Sequence, residues 1–178
     1  MLFNTLKDKF KVKSGKKYLK EELKNLQALN TSHKGIQTIG CIVDLDSFDH
    51  TDVFYELLEE FSLAPNAIKI IGYKSYYDKN SPYATPIFSD KDLGWKGDIE
   101  NSYALEFLTR EYDLLINYYT SENLLMQLMT IKTKARIRVG FGEVDKVYNN
   151  LILNVPYKDF SLFKQELSKY LKVLNEIK

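Results

Sequence analysis

The apolar positions of this chain change period several times, and each change marks an element. Residues 38–46 read TIGCIVDLD, a continuous apolar run that turns acidic at its end. That is how a strand buried on both faces reads. Over 51–63 the period becomes helical: Val53, Phe54, Leu57, Leu58 and Phe61 share a stripe, and Pro65 follows as a stop. Residues 67–73, AIKIIGY, predict a second strand. Strand, helix and strand in quick succession form a βαβ unit with a right-handed crossover. The stretch 74–99 is rich in Tyr, Ser, Pro and Asn and predicts a loop, with a short strand at 86–89. A short helix follows over 100–110, with Leu105 and Leu108 inward. Residues 113–120, DLLINYYT, predict another strand. Ser121 caps the next helix, whose Leu124, Leu125, Leu128, Met129 and Ile131 face the sheet. RIRVGF at 136–141 alternates, which predicts one solvated face. A strand at 151–155 and a closing helix at 159–177 complete the pattern. In that helix Phe160, Phe163, Leu167, Tyr170, Leu171 and Leu174 point inward. The order predicts an α/β fold: a three-layer, mostly parallel, Rossmann-like sheet with a basic N-terminal helix.

That helix comes from a different pattern. Residues 1–13 read as an arm, and Ser14 caps a helix over about 15–30. Leu19, Leu23, Leu26 and Leu29 fall on one side, and Lys16, Lys17, Lys20 and Lys24 on a neighbouring stripe. Gly35 ends the region. The chain therefore divides into a basic arm and helix, 1–34, and a single α/β domain, 35–178.

Charge sharpens the division. Residues 1–34 hold nine lysines against three acids, a net of +6, while residues 35–178 net −5. The total of +1 hides a cationic arm on an anionic body. A block of like charge concerns partners rather than fold. Lys9, Lys11, Lys13, Lys16, Lys17, Lys20 and Lys24 are the candidate contacts to a polyanion, either structured RNA such as the ribosome or an anionic membrane surface. Lysines without arginines suit diffuse charge better than bidentate base reading. An ordinary solvated helix face carries the same pattern.

Composition excludes some chemistry. At 178 residues, with 44% hydrophobic and 13% aromatic content, the chain can bury a full core. Thirteen tyrosines imply a half-buried layer or an aromatic-lined groove. One cysteine allows no disulfide within the chain, and two histidines beside it argue against zinc. Cys41 reads as a small buried hydrophobe. The N-terminus lacks an apolar segment of signal-peptide length, and no run reaches the ~20 residues of a membrane span. The expected location is the cytoplasm.

In open parallel sheets ligands bind beyond the carboxyl ends of the strands. That rule selects Asp44, Asp46, Ser47 and Asp49 after the first strand, and Tyr73, Ser75, Tyr76 and Tyr77 after the second. It selects Asn117, Tyr119 and Thr120 after DLLINYYT, and Gly142 and Glu143 after RIRVGF. Such groups suit a polar small ligand or a magnesium-bound phosphate. Asp49, Thr51, Thr120 and Ser121 are equally placed to cap helices. G-x-G-x-x-G, the Walker loop and G-x-S-x-G are absent. His33 and His50 read as surface residues.

Three resemblances follow from these residues. Asp44-Leu45-Asp46-Ser47-Phe48 resembles the D-x-D signature of haloacid-dehalogenase-type phosphatases, departing from it at Phe48. The resemblance implies that Asp44 attacks phosphorus, Asp46 handles the leaving-group proton and Mg2+ binds nearby. Tyr112–Asn117, Leu124-Leu125 and Ala135–Phe141 resemble the N-terminal half of heptosyltransferase-type glycosyltransferases. That resemblance implies the fold but not the activity. The glycine-rich first loop is missing, and a second domain is not expected in 178 residues. Ile39-Gly40, Val43-Asp44 and Asp113–Tyr119, with the Lys-rich helix, resemble a small family of uncharacterised bacterial α/β proteins. The resulting expectation is a non-catalytic binding or adaptor module without a cofactor. The alternative is a small-ligand or phosphate-ester enzyme with its site at the strand ends near Asp44 and Asp46, in its sharpest form a magnesium-dependent, phosphatase-like hydrolase. Self-association, as a homodimer, would use the RIRVGF/LILNV edge or the leucine face of the first helix.

Overall fold

A computed structural model describes residues 5–28, 30, 33–76, 78, 82–144 and 146–178. Six strands form one sheet: β1 Ile39–Asp44, β2 Ile68–Tyr73, β3 Ile87–Phe88, β4 Glu111–Tyr118, β5 Lys134–Phe141 and β6 Leu151–Leu153. All neighbours run parallel, in the order β3-β2-β1-β4-β5-β6. This is the 3-2-1-4-5-6 order of doubly wound sheets, so the α/β prediction holds. At the centre, Cys41 pairs with Ile70 on one side and Ile116 on the other. Every residue of β1 is buried, which is why its sequence never alternates.

Helices cover both faces. Three of the five α-helices among the described residues are α2 Glu56–Glu60, α3 Ser102–Leu108 and α4 Leu124–Lys132. The others are α1 Leu6–Leu23 and α5 Phe160–Val173. Phe54, Leu57 and Phe61, in and around α2, join Phe160, Phe163, Leu167 and Leu171 of α5 over one face. Leu19 of α1, Ala104 and Phe107 of α3, and five apolar residues of α4 cover the other.

Several boundaries differ from the sequence reading. The first helix starts at Leu6, so part of the expected arm is helical, and it ends at Leu23. Its cap is Thr5. The Thr5 hydroxyl accepts from the Asp8 amide at 3.1 Å, and the Asp8 carboxylate accepts from the Thr5 amide at 3.2 Å. This reciprocal box satisfies two donors that the first turn would otherwise leave open. Ser14, expected as the cap, lies mid-helix and donates to the Lys11 carbonyl at 2.9 Å. Lys24 is the C-cap residue, and Leu29 lies outside the described residues.

Gly15 is buried mid-helix where α1 docks on the body. A Cβ there would meet Leu124 at 3.5 Å, Leu93 at 3.6 Å and the Gly97 backbone at 3.8 Å. Gly97 has φ +77, and a Cβ on it would strike Tyr18 at 2.7 Å. Gly97 thus lets the loop around Trp95 lie against α1.

Elsewhere Asn123 caps α4 where Ser121 was expected; its side chain accepts from the Leu125 and Met126 amides. In α3 the buried residues are Ala104 and Phe107, while Leu105 is exposed. In α5, Tyr170 and Leu174 are exposed, because the helix stops at Val173 and its apolar stripe follows Phe160, Phe163, Leu167 and Leu171. β5 is internal to the sheet, and β6, within LILNV, is its edge strand. Its arginines do not face solvent: Arg138 is 5% exposed and the Arg136 side chain 12%. The leucine side of α1 is also spent within the chain, with Leu19 buried and Leu23 packed on the same cluster.

Candidate functional site

The strand order places the topological switch between β1 and β4, the expected mouth of a ligand crevice. Aromatic rings of the chain itself occupy it. Phe48, in the turn after β1, lies 4.8 Å from the Tyr118 ring centroid and 6.0 Å from that of Tyr157. Tyr118 and Tyr157 are 5.1 Å apart. Phe54, Phe141, Phe160 and Phe163 close around Tyr118 at 5.0–6.0 Å. The Tyr118 hydroxyl donates to the Tyr157 carbonyl at 2.7 Å. The Tyr157 hydroxyl sits between the carbonyls of Tyr118 (3.3 Å) and Asp44 (3.5 Å), one on each side of the switch. Burial pushes the ionisation of both phenols well above the ordinary tyrosine range. Much of the tyrosine surplus is therefore core.

The predicted residues at the strand ends serve the turns around them. Asp44 is buried, and each carboxylate oxygen has a partner from its own turn: the Asp46 amide at 3.1 Å and the Ser47 hydroxyl at 3.0 Å. Asp46 is exposed and accepts from the Ser75 amide at 2.9 Å, which links the loops after β1 and β2. A nucleophilic role would require Asp44 to give up the contacts that hold its turn. Tyr73 donates from a buried site to Asp90 at 2.9 Å, and burial pushes its ionisation upward. Tyr76 is 68% exposed, with the Lys91 ammonium 5.9 Å from its ring centroid. Tyr77 lies outside the described residues.

Asn117 and Tyr119 lie on the other face, fully buried in one chain of hydrogen bonds. Asn117 donates to Asn149 at 2.7 Å and accepts from the Thr130 hydroxyl at 2.8 Å. The Thr130 hydroxyl also meets that of Tyr119 at 2.8 Å. Thr120 is half-exposed in the loop beyond. The candidates therefore split between a turn, two faces of the sheet and an exposed loop. His50 is exposed beside Asp49, at 3.5 Å. Open space lies elsewhere: a groove of about 460 Å³ beside β3, lined by Tyr83, Thr85, Asn101 and Tyr103, touches neither Asp44 nor Asp46. Among the described residues no three His, Cys, Asp or Glu side chains gather to hold a metal ion, and no helix is long and apolar enough to cross a membrane.

One polar cluster escaped the sequence reading. At the opposite end of the sheet, Asp113 is buried and accepts from the amides of Gln37 (2.9 Å) and Thr38 (3.1 Å) and from the Thr38 hydroxyl (3.2 Å). His33 Nε2 lies 2.8 Å away and Arg136 Nε 3.6 Å. Arg136 forms a two-pronged pair with Glu176 at 2.6 and 2.8 Å and donates to the Gly35 carbonyl. Glu176 accepts from the Gly35 amide at 2.8 Å. Burial alone would raise the Asp113 carboxyl, but the Gln37 amide, His33 and the Thr38 amide together hold it below its usual range. Arg136 does the same for Glu176. The cluster ties the linker before β1 to β4, β5 and the end of α5. Neighbouring Arg138 is buried with backbone carbonyl partners at Thr133 and Gln27.

The remaining candidates lie on α1. At 3.6 residues per turn, Lys9, Lys13, Lys16, Lys17 and Lys20 fit within an arc of about 100°. All five are exposed, and the arc lies on the far side of the helix from buried Gly15 and Leu19. Lys11 is different: its side chain is 15% exposed and lies 3.8 Å from Glu100. Lys24 is exposed just past the helix. Seven lysines against Asp8, Glu21 and Glu22 give α1 a net charge of +4. The near side is held by packing and by Lys132, whose ammonium is 4.5 Å from the Tyr18 ring centroid and 3.8 Å from Asp98. No curated protein and no solved structure matches this chain. The family DUF6913, described as a family of unknown function, matches residues 11–174.

Proposed function

The chain belongs to DUF6913, a family whose function is unknown, and on that premise we propose that it is a non-catalytic binding module that docks on a phosphate-rich polyanion through α1. The observation that carries this reading is the exposed row of Lys9, Lys13, Lys16, Lys17 and Lys20 on a helix anchored by its other side. A docked helix presents its charges at fixed spacing. Ordering them on a partner then costs less than ordering a loose tail. The lysines act as point charges on a phosphate surface, and the anionic body turns the basic face toward it. The filled crevice at the β1–β4 switch and the engaged carboxylate of Asp44 favour binding over hydrolysis.

The test is heparin affinity across a salt series, comparing the native chain with one carrying Gln at positions 9, 13, 16, 17 and 20. Five phosphate contacts predict a roughly 100-fold fall in affinity between about 50 and 200 mM salt. The five-Gln variant should lose most of both the affinity and the salt slope while its unfolding midpoint stays put. Equal, salt-insensitive retention of the two proteins would remove the basis of the proposal.

A further inference from the structure

The rows of α1 differ in chemistry in a way that charge alone does not explain. Side chains four apart stack along a helix face. Lys9, Lys13 and Lys17 form one such row, and Lys16 and Lys20 the next. On the other flank of the first lysine row runs Leu6, Phe10 and Ser14. Leu6 is 73% exposed and Phe10 53%, although the same helix buries Leu19 completely enough to place it in the core. Trp95 lies in the loop that docks on α1 at Ser14. It belongs to the short 3-10 helix Trp95–Gly97, whose Lys96 amide donates to the Ser14 hydroxyl at 3.1 Å, one turn beyond Phe10. Trp95 is 48% exposed. An aliphatic and a phenyl side chain thus border two rows of lysine, and an exposed indole stands in the loop docked at Ser14.

Resting on the polyanion reading above, we infer that this face docks on an anionic lipid bilayer surface. RNA backbone contact needs the lysines but gives Leu6 no partner. A bilayer interface uses both parts: ammonium groups meet lipid phosphates and carboxylates, while leucine and aromatic rings enter the boundary between headgroups and acyl chains. Tryptophan is favoured at that depth because its ring is apolar and its N–H can stay hydrated. The helix lies in the surface plane with its Gly15 and Leu19 side still packed on the body. The aligned polar rows on the outer side give one orientation of the whole domain on the membrane.

The chain has a single tryptophan, so its emission reports directly on this patch. The experiment adds vesicles of phosphatidylcholine, or of phosphatidylcholine with phosphatidylserine, to the full chain. Tryptophan emission and co-sedimentation are followed, and heparin binding is measured in parallel. Anionic vesicles should shift Trp95 emission to the blue and pull the protein down; neutral vesicles should do neither. Leu6→Ser with Phe10→Ser should weaken vesicle binding at least tenfold and leave heparin binding unchanged, since both side chains are exposed and the fold does not use them. Heparin or RNA binding without any response to anionic vesicles would overturn the membrane inference and leave the polyanion reading standing. Loss of binding to heparin and vesicles alike would overturn both. Vesicle binding unaffected by the two serines would also overturn the inference, because the apolar row would then have no part in it.

Discussion

Asp113→Asn should destabilise the protein more than any surface charge change, and by a pH-dependent amount. In the native chain one carboxylate oxygen of Asp113 accepts from the Gln37 and Thr38 amides and the Thr38 hydroxyl, and the other faces His33 and Arg136. An asparagine can keep an oxygen toward the amides. Its NH2 then faces the Arg136 guanidinium, setting donor against donor. Removing one member of a buried charge pair costs about 3–5 kcal/mol when burial is deep. Arg136 keeps its pair with Glu176, so about 3 kcal/mol is the expected loss near neutral pH. For a chain of this size that lowers the unfolding midpoint by roughly 6–12 °C. The pH dependence follows from the depressed carboxyl. A carboxylate that titrates lower in the folded state stabilises fully above its unfolded value, and that contribution disappears as pH falls through the folded value. Both Asp113 and Glu176 are shifted downward. The gap between native chain and variant should therefore be complete at neutral pH and close in strongly acidic buffer. Urea unfolding followed by circular dichroism, from neutral pH downward, measures it. A gap under about 1 kcal/mol at neutral pH, or one that does not narrow with acid, would refute this account of the cluster.

Three further changes test other parts of the structure. Tyr157→Ala should cost about 3–5 kcal/mol in chemical denaturation, because it empties the β1–β4 switch, while Tyr157→Phe should cost only about 1 kcal/mol for a hydroxyl whose contacts are long. Comparable losses for the two would show that the ring is not the seal. Gly15→Ala should raise thermal stability by about 0.5–1 kcal/mol, since its neighbours leave ordinary contact distance for a methyl and mid-helix glycine is costly; a lowered midpoint would mean that α1 sits closer to the body than described. Asp44→Asn should lower stability by about 1–2 kcal/mol through the turn after β1, and an unchanged melting midpoint would show that this turn does not depend on the carboxylate.

What the sequence revealed, and what it hid, follows the range of the forces involved. The strands at 38–46 and 113–120 were plain because burial on both faces leaves continuous apolar runs. The helix start was missed although its signal was local: Thr5 and Asp8 stand three apart, as a capping box requires, but Ser14 was read as the cap and the residues before it as an arm. Ser14 instead accepts from the Lys96 amide of a loop some 80 residues away, which no local pattern encodes. The alternation of RIRVGF was real, yet its polar side met Asp113, Glu176 and the segment containing Gln27 rather than water. Arg136 and Glu176 are 40 residues apart, so nothing nearby announced their pairing. At the candidate site the strand ends were located, but what fills the space beyond them depended on Phe48 of the adjoining turn meeting Tyr157, whose ring arrives from a loop more than 100 residues away.

The ring of Tyr157 also imposes an order of events. The chain is made from its N-terminus, so β1, β4 and β5 can pair before residues 157–163 exist. Until then Phe48, Phe54, Tyr118 and Phe141 line an apolar hollow open to solvent. Tyr157, Phe160 and Phe163 arrive together at the start of the last helix and close it from one side. A nascent or truncated chain that stops short of them carries a sticky aromatic mouth at the position where relatives of this architecture admit a ligand. The helix that begins at Phe160 is thus the stopper of this hollow, and its docking is the step that takes the aromatic mouth out of contact with other chains.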